Sequence, residues 1–108
     1  MKCLLIGLGN FGSTLAIELT EQGHDVIGVD ILEQRIDEIK DHISVAYIMD
    51  ATQRAALKQL PLDEIDCAIV AIGQSMGNSL RTVATLKELG VAKVYARAID
   101  QTHQSIMR

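Results

Sequence analysis

The chain of 108 residues is 48% hydrophobic and holds a single proline, the composition of one compact domain and not of a disordered tail or a multidomain machine. Its 10 Lys plus Arg against 14 Asp plus Glu leave a formal charge of -4, too little positive field for a general nucleic-acid binder. No apolar run approaches the ~18 residues of a membrane span, and Gly7 and Gly9 break the N-terminal apolar run before a signal core can form, so a soluble, cytosolic chain is expected.

Short branched apolar runs predict strands over residues 2–6, 25–29, 45–49, 67–72 and 93–97, with helical periodicity between them. The helical faces are predicted from Phe11, Leu15, Ala16 and Leu19, from Ile36, Ile39 and Ile43, and from Met76, Leu80, Val83, Ala84 and Leu89. Gly23 and Gly90 fall where a left-handed C-cap is wanted, and Pro61 falls in a turn that stops the short helix after Asp50. This alternation specifies an α/β fold of the Rossmann-like, doubly wound parallel kind, with strand order 3-2-1-4-5 across residues 1–108 as one domain. A complete sheet of this type has a sixth strand, whereas Arg108 ends the sequence a turn or two into a helix that Asp100 is placed to cap, with Ile106 and Met107 expecting a partner. A truncated sheet is the expectation.

The segment Gly7-Leu8-Gly9-Asn10-Phe11-Gly12 matches G-x-G-x-x-G between the first strand and the first helix. Gly7 permits the tight turn, Gly9 lets backbone amides approach a pyrophosphate, and Gly12 lets the helix pack closely on the sheet. The helix N-terminus then faces the anion. Asp30 ends the second strand, where its carboxylate can accept the ribose hydroxyls of an adenosine and would repel the 2′-phosphate of NADP. Asp30-Ile31-Leu32-Glu33 also reads as a capping box; the ribose role is preferred. Asp50 follows the third strand in another cap-like stretch, Asp50-Ala51-Thr52-Gln53, with the side chain of Asp50 or the amide of Ala51 on the adenine side of the crevice. Ala71, Ile72 and Gly73 close the fourth strand as a wall beside the loop. Arg97, ending the fifth, is either a cation for a terminal phosphate or the surface partner of Asp100.

Catalytic groupings are not evident. His24, His42 and His103 share no metal-ligand spacing, Ser13 and Ser75 sit where hydroxyls cap helices, and Phe11, Tyr47 and Tyr95 are too scattered for a base-stacking platform. Cys3 and Cys67 lack metal-ligand spacing and are expected as core thiols on neighbouring strands, at the sheet end away from the crevice. A dinucleotide site without a substrate half favours a sensor over an enzyme. The rival readings are the cofactor-binding fragment of an NAD-dependent oxidoreductase and a scaffold that nucleotide merely stabilises.

Taken together, the glycine loop, Asp30, Asp50-Ala51-Thr52 and Ala71-Ile72-Gly73 resemble the N-terminal nucleotide-binding lobe of the potassium-transport regulators called RCK, KTN or TrkA-N, over essentially the whole chain. The resemblance implies a regulatory subunit that binds NAD, NADH, ATP or ADP, with AMP a further candidate. It also implies assembly as homodimers and larger rings, and docking from the cytoplasmic side of the inner membrane on a potassium transporter or channel. By the same resemblance Gly7, Gly9, Asn10, Phe11 and Gly12 form the phosphate loop, Asp30 the ribose carboxylate, Asp50 and Ala51 the adenine side, Ile72 and Gly73 the fourth-strand wall, and Arg97 a basic group toward the phosphates; Ile31 and Ala71 are expected among the cofactor-binding residues with them. Several ATP-responsive relatives carry Arg at the position of Asn10, which moves the expectation here toward NAD or a diphosphate. Relatives also continue into a sixth strand and often a second regulatory lobe.

Overall fold

The computed structural model describes residues 1–72 and 76–97. Its described elements run β1 (Lys2–Ile6), α1 (Asn10–Glu21), β2 (Asp25–Asp30), α2 (Glu33–Ile39), β3 (Val45–Ile48), α3 (Arg54–Leu57), a 3-10 turn (Leu62–Glu64), β4 (Cys67–Val70), α4 (Met76–Glu88) and β5 (Val94–Ala96). The strands form one parallel sheet in the order β3-β2-β1-β4-β5, the predicted order. The chain reverses its winding direction between β1 and β4, where ligand crevices of such sheets lie.

Each face of the sheet has its own core. Leu5, Val26, Ala16, Ile36, Ile39 and Ile43 pack beneath α1 and α2, while Leu4, Ile6, Val29, Leu57, Ala68, Val70 and Leu86 pack on the opposite face. Strands covered on both sides have no polar alternation, which is why their apolar runs are continuous. Gly23 and Gly90 take φ values of +94° and +101° and return the chain from α1 and α4 toward β2 and β5, as a left-handed helix terminus requires.

Several local expectations are corrected. β2 extends through Asp30, whereas β3 stops at Ile48 and β4 at Val70. β4 ends early because the chain turns away into the crevice wall at Ala71. α2 ends at Ile39, so Ile43 is buried from the segment after the helix. α3 ends at Leu57, ahead of Pro61, which instead leads into the 3-10 turn. Leu80 is 60% exposed and Ala84 is also exposed, while Ser79, Thr82 and Leu86 are buried in their place and Val83 and Leu89 pack beside them. The hydroxyls make that burial possible: Ser79 Oγ donates to the Ile72 carbonyl at 3.2 Å and Thr82 Oγ1 to the Asn78 carbonyl at 2.8 Å, so neither enters the core unsatisfied. Phe11 also leaves its expected core face and turns toward the crevice. The expected cap at Asp100, Ser75 and the apolar pair Ile106 and Met107 lie outside the described residues.

Candidate functional site

The carboxyl ends of the strands open onto a cavity of about 720 Å³. Its floor is the β1–α1 loop, and the close approach of that loop to its neighbours fixes two glycines. Gly7 has φ +97°, and a Cβ there would stand 2.7 Å from the Ala71 carbonyl oxygen; a Cβ on Gly12 would stand 1.8 Å from the Gly7 carbonyl oxygen. No side chain fits either place, so α1 sits directly on the turn that leaves β1. Gly9 is the residue preceding α1, with extended backbone and no side-chain cap, and no acidic group occupies the first turn. The open amides at that helix end face the cavity with their partial positive charge.

Asp30 is the most constrained polar group of the site. Its side chain is only 4% exposed. Oδ2 accepts the Leu8 N–H at 2.7 Å, Oδ1 accepts the Leu32 N–H at 2.9 Å, and the Arg35 guanidinium lies 3.3 Å from Oδ2. The expected capping box does not form: α2 begins at Glu33 with Leu32 as the flanking residue and no side-chain cap. Asp30 instead ties the phosphate loop to the turn after β2; Oδ1, with one donor, retains capacity for another, whereas Oδ2 already accepts from Leu8 and Arg35. Ile31 and Leu32, both at least half exposed, and Met49 give the cavity an apolar flank next to this carboxylate.

Asp50 is held differently. Its Oδ1 accepts both the N–H and the hydroxyl of Thr52. The Thr52 hydroxyl, then the Thr52 N–H, hold its carboxyl below the usual value, partial burial opposing and the Gln53 side chain assisting. α3 starts only at Arg54, with Gln53 as its flanking residue, so Asp50 shapes the turn after β3 instead of capping the helix. Ala51 is buried beside it. Ala71 and Ile72 form the opposite wall, and Gly73 lies outside the described residues. Arg97 is exposed with its guanidinium carbon 4.3 Å from the centre of the Phe11 ring, a cation–π contact that holds the cation at the rim of the cavity. The alternative partner, Asp100, is outside the described residues.

The structure thus brings Gly7, Gly9, Asn10, Phe11, Gly12, Asp30, Ile31, Asp50, Ala51, Ala71, Ile72 and Arg97 around one crevice. Sequence reading missed Arg35, Thr52 and Asn78 in the same lining. The signal for Arg35 was its place on the first turn of α2, just beyond Asp30; attention to the apolar stripe alone passed over it. No group of three or more metal-ligating side chains occurs among the described residues. His42 is exposed, His24 is half-buried, and His103 is outside the described residues. Ser13 Oγ reaches only the Asn10 carbonyl, at 3.5 Å.

At the other end of the sheet Cys3 and Cys67 stand opposite one another in register, their sulfurs 3.6 Å apart and buried, where the sequence reading put them. No helix among the described residues is long and apolar enough to cross a membrane.

Comparison with known proteins bears on the family and the fold. The chain is 38% identical over 103 residues to the Ktr system potassium uptake protein C of Bacillus subtilis (strain 168), a match that covers 95% of this chain and 47% of that protein; the chain spans about half the length of the curated relatives it matches. Among solved structures, the AMP-bound C-terminal domain of Kef from Shewanella denitrificans superposes with a TM-score of 0.76 at 24% identity, covering 95% of this chain and 62% of that one. The GsuK channel bound to NAD gives 0.77 at 16% identity, covering 99% of this chain and 19% of that one. At these identities the two structures speak for the fold alone. The family model for the TrkA-N domain matches residues 3–108, and the chain belongs to that family.

Proposed function

We propose that this chain is the nucleotide-binding regulatory domain of a potassium uptake system, sensing NAD or NADH, or an adenine nucleotide such as ATP, ADP or AMP. The observation that carries the reading is the pairing of the side-chain-free loop at Gly7, Gly9 and Gly12 with the buried Asp30 carboxylate across one crevice. That pair fits a diphosphate joined to a ribose: amides and a helix N-terminus for the anion, a fixed acceptor for the sugar hydroxyls. Asn10 and Phe11 continue the phosphate side, Ile31 lies beside Asp30, Asp50 and Ala51 make the adenine side, and Ala71 and Ile72 the wall. Arg97 stands at the rim toward the terminal phosphate.

The reading requires no covalent chemistry and makes the domain no enzyme; the potassium uptake relatives support that choice. Ligand acts by preferring one of two geometries of a homodimer or larger ring of domains, which biases a membrane potassium transporter or channel from its cytoplasmic face. A preference of ~100-fold corresponds to about 2.7 kcal/mol, within the usual range of coupling free energies. Residues 1–108 act as one nucleotide-binding domain in this scheme.

Thermal-shift titration with NAD, NADH, ATP, ADP and AMP tests it directly. The physiological ligand raises the melting temperature of the wild-type chain by an amount that grows with the logarithm of the free ligand concentration above Kd, and Asp30→Ala abolishes most of that rise. Absence of a shift with all five compounds sinks the proposal.

A further inference from the structure

The face of Gly9 that a ligand must approach is covered by a cation. A Cβ built on Gly9 would lie 3.7 Å from Cζ and Nη1 of Arg35 and 3.8 Å from Nη2, so the whole guanidinium rests against the loop. Nη1 is at the same time 3.3 Å from Asp30 Oδ2. Arg35 also borders a second cavity of about 280 Å³, which Ser13, Ile17 and Glu38 line between α1 and α2. The guanidinium is therefore a partition between two spaces, and its side chain, 41% exposed, has room on either side.

The contact with Asp30 is single-pronged and part-exposed, the weak form of an Arg–carboxylate pair. The carboxylate does not depend on it for position, because the N–H groups of Leu8 and Leu32 hold both oxygens. We infer that Arg35 is a displaceable cation that makes the crevice selective for phosphorylated adenosines. On ligand entry the guanidinium leaves Asp30 Oδ2, a ribose hydroxyl takes its place as donor, and the guanidinium engages phosphate over Gly9. The inference rests on the nucleotide reading above and adds to it a selectivity residue. A nucleoside without phosphate must break the same ion pair and clear the same glycine face, yet offers the freed guanidinium no anion. Selectivity thus comes from what the cation gains after it moves, in addition to the helix N-terminus.

Calorimetric titration of the full chain with adenosine, AMP, ADP and NAD, for wild type, Arg35→Ala and Arg35→Lys at low and high salt, tests this. In Arg35→Ala, adenosine binds about two- to five-fold more tightly, the range set by an exposed ion pair no longer to be broken. AMP, ADP and NAD bind about tenfold more weakly, and the salt dependence of ADP binding becomes shallower. Arg35→Lys keeps the charge without the fork and falls between the two; it carries the comparison alone if the alanine variant does not fold. Equal changes for adenosine and its phosphates, or no change for any, overturn the role of Arg35 while leaving the nucleotide reading intact. Failure of the wild type to bind any of the four, or ATP or NADH titrated beside them, overturns both.

Discussion

The two ends of the β1–β4 pair share one register and opposite chemistry. At the amino end Cys3 faces Cys67 with the sulfurs in contact and buried; at the carboxyl end Gly7 still lies against the Ala71 carbonyl as both chains leave the sheet, and polar groups surround an open crevice. The difference lies in how the chain leaves each strand. A residue with positive φ turns the backbone sharply out of the sheet at Gly7, so the Leu8 N–H leaves the ladder for the Asp30 carboxylate and the helix start that follows opens onto the crevice. Where no such turn occurs, side chains of neighbouring strands close on one another. The parallel arrangement puts all the outgoing turns at one end, which concentrates ligand chemistry there and leaves the other end to packing.

The largest expected effect tests the close approach at the open end. Gly12→Ala puts a Cβ 1.8 Å from the Gly7 carbonyl oxygen, so α1 must lift from the turn, at a cost of about 3 kcal/mol or more in chemical denaturation and with loss of nucleotide binding. Gly23→Ala is the converse case: its φ of +94° is unfavourable to a side chain, which the helical backbone of Gly12 is not, but nothing lies within 4 Å of the added atom, and the cost is about 1 to 2 kcal/mol of backbone strain with binding retained. A loss at Gly12 no larger than that at Gly23, with binding kept, would show that the loop relieves the crowding without α1 lifting.

A smaller effect separates the two duties of Asp30. Asp30→Ala leaves the Leu8 N–H buried without its acceptor, so the ligand-free protein loses about 2 kcal/mol in addition to its ribose contact. Sequence reading alone had the ribose duty competing with a helix cap; the structure replaces the cap with a strut between two loops. A variant with unchanged ligand-free stability would remove the strut.

What was legible follows from the kind of signal each element carries. Five strands and their order could be read because fully covered parallel strands are continuous apolar runs, and because the handedness of crossovers leaves few arrangements. The loop glycines were legible because their positions require the absence of a side chain. The buried face of α4 was misjudged, since hydroxyls of Ser79 and Thr82 satisfied on nearby carbonyls bury as readily as Leu80 and Ala84 would, and periodicity of apolar residues alone does not register that. Arg35 was missed for a related reason: its contacts with Gly9 and Asp30 are made across a turn, and only the three-dimensional path of the chain brings them together.

At the closed end the expected effect is on pH dependence. Burial first, then the neighbouring Cys67 thiol, pushes Cys3 up from 9.0 to about 11. The folded protein therefore keeps a proton that the unfolded chain releases above about 9, and stability present below that value declines as pH rises toward 11. Unfolding free energies followed between pH 8 and 11 should fall in the wild type and fall less steeply in Cys3→Ala, which itself loses about 1 kcal/mol at neutral pH from the vacated volume. Parallel curves for the two proteins would mean that this thiol is not the titrating group.

The smallest effect belongs to the open end, where Asp50 supplies a solvated counterpart to the buried Asp30. Its carboxyl is depressed from 3.8 chiefly by the Thr52 hydroxyl, so the stability it contributes is present above 3.8 and is lost as pH falls through the depressed value. Thr52→Val removes the hydroxyl and keeps the backbone donor; the carboxyl of Asp50 then titrates closer to 3.8 in an NMR pH series. The turn after β3 keeps its shape through the remaining Thr52 N–H and the Gln53 N–H to Asp50 carbonyl bond at 3.1 Å. Nucleotide affinity therefore changes little, unless the base reads the orientation of the Asp50 side chain. An unshifted titration would assign the depression to the backbone donor, whereas a loss of affinity as large as that of Asp30→Ala would move Asp50 from the shaping of a turn to the holding of the ligand.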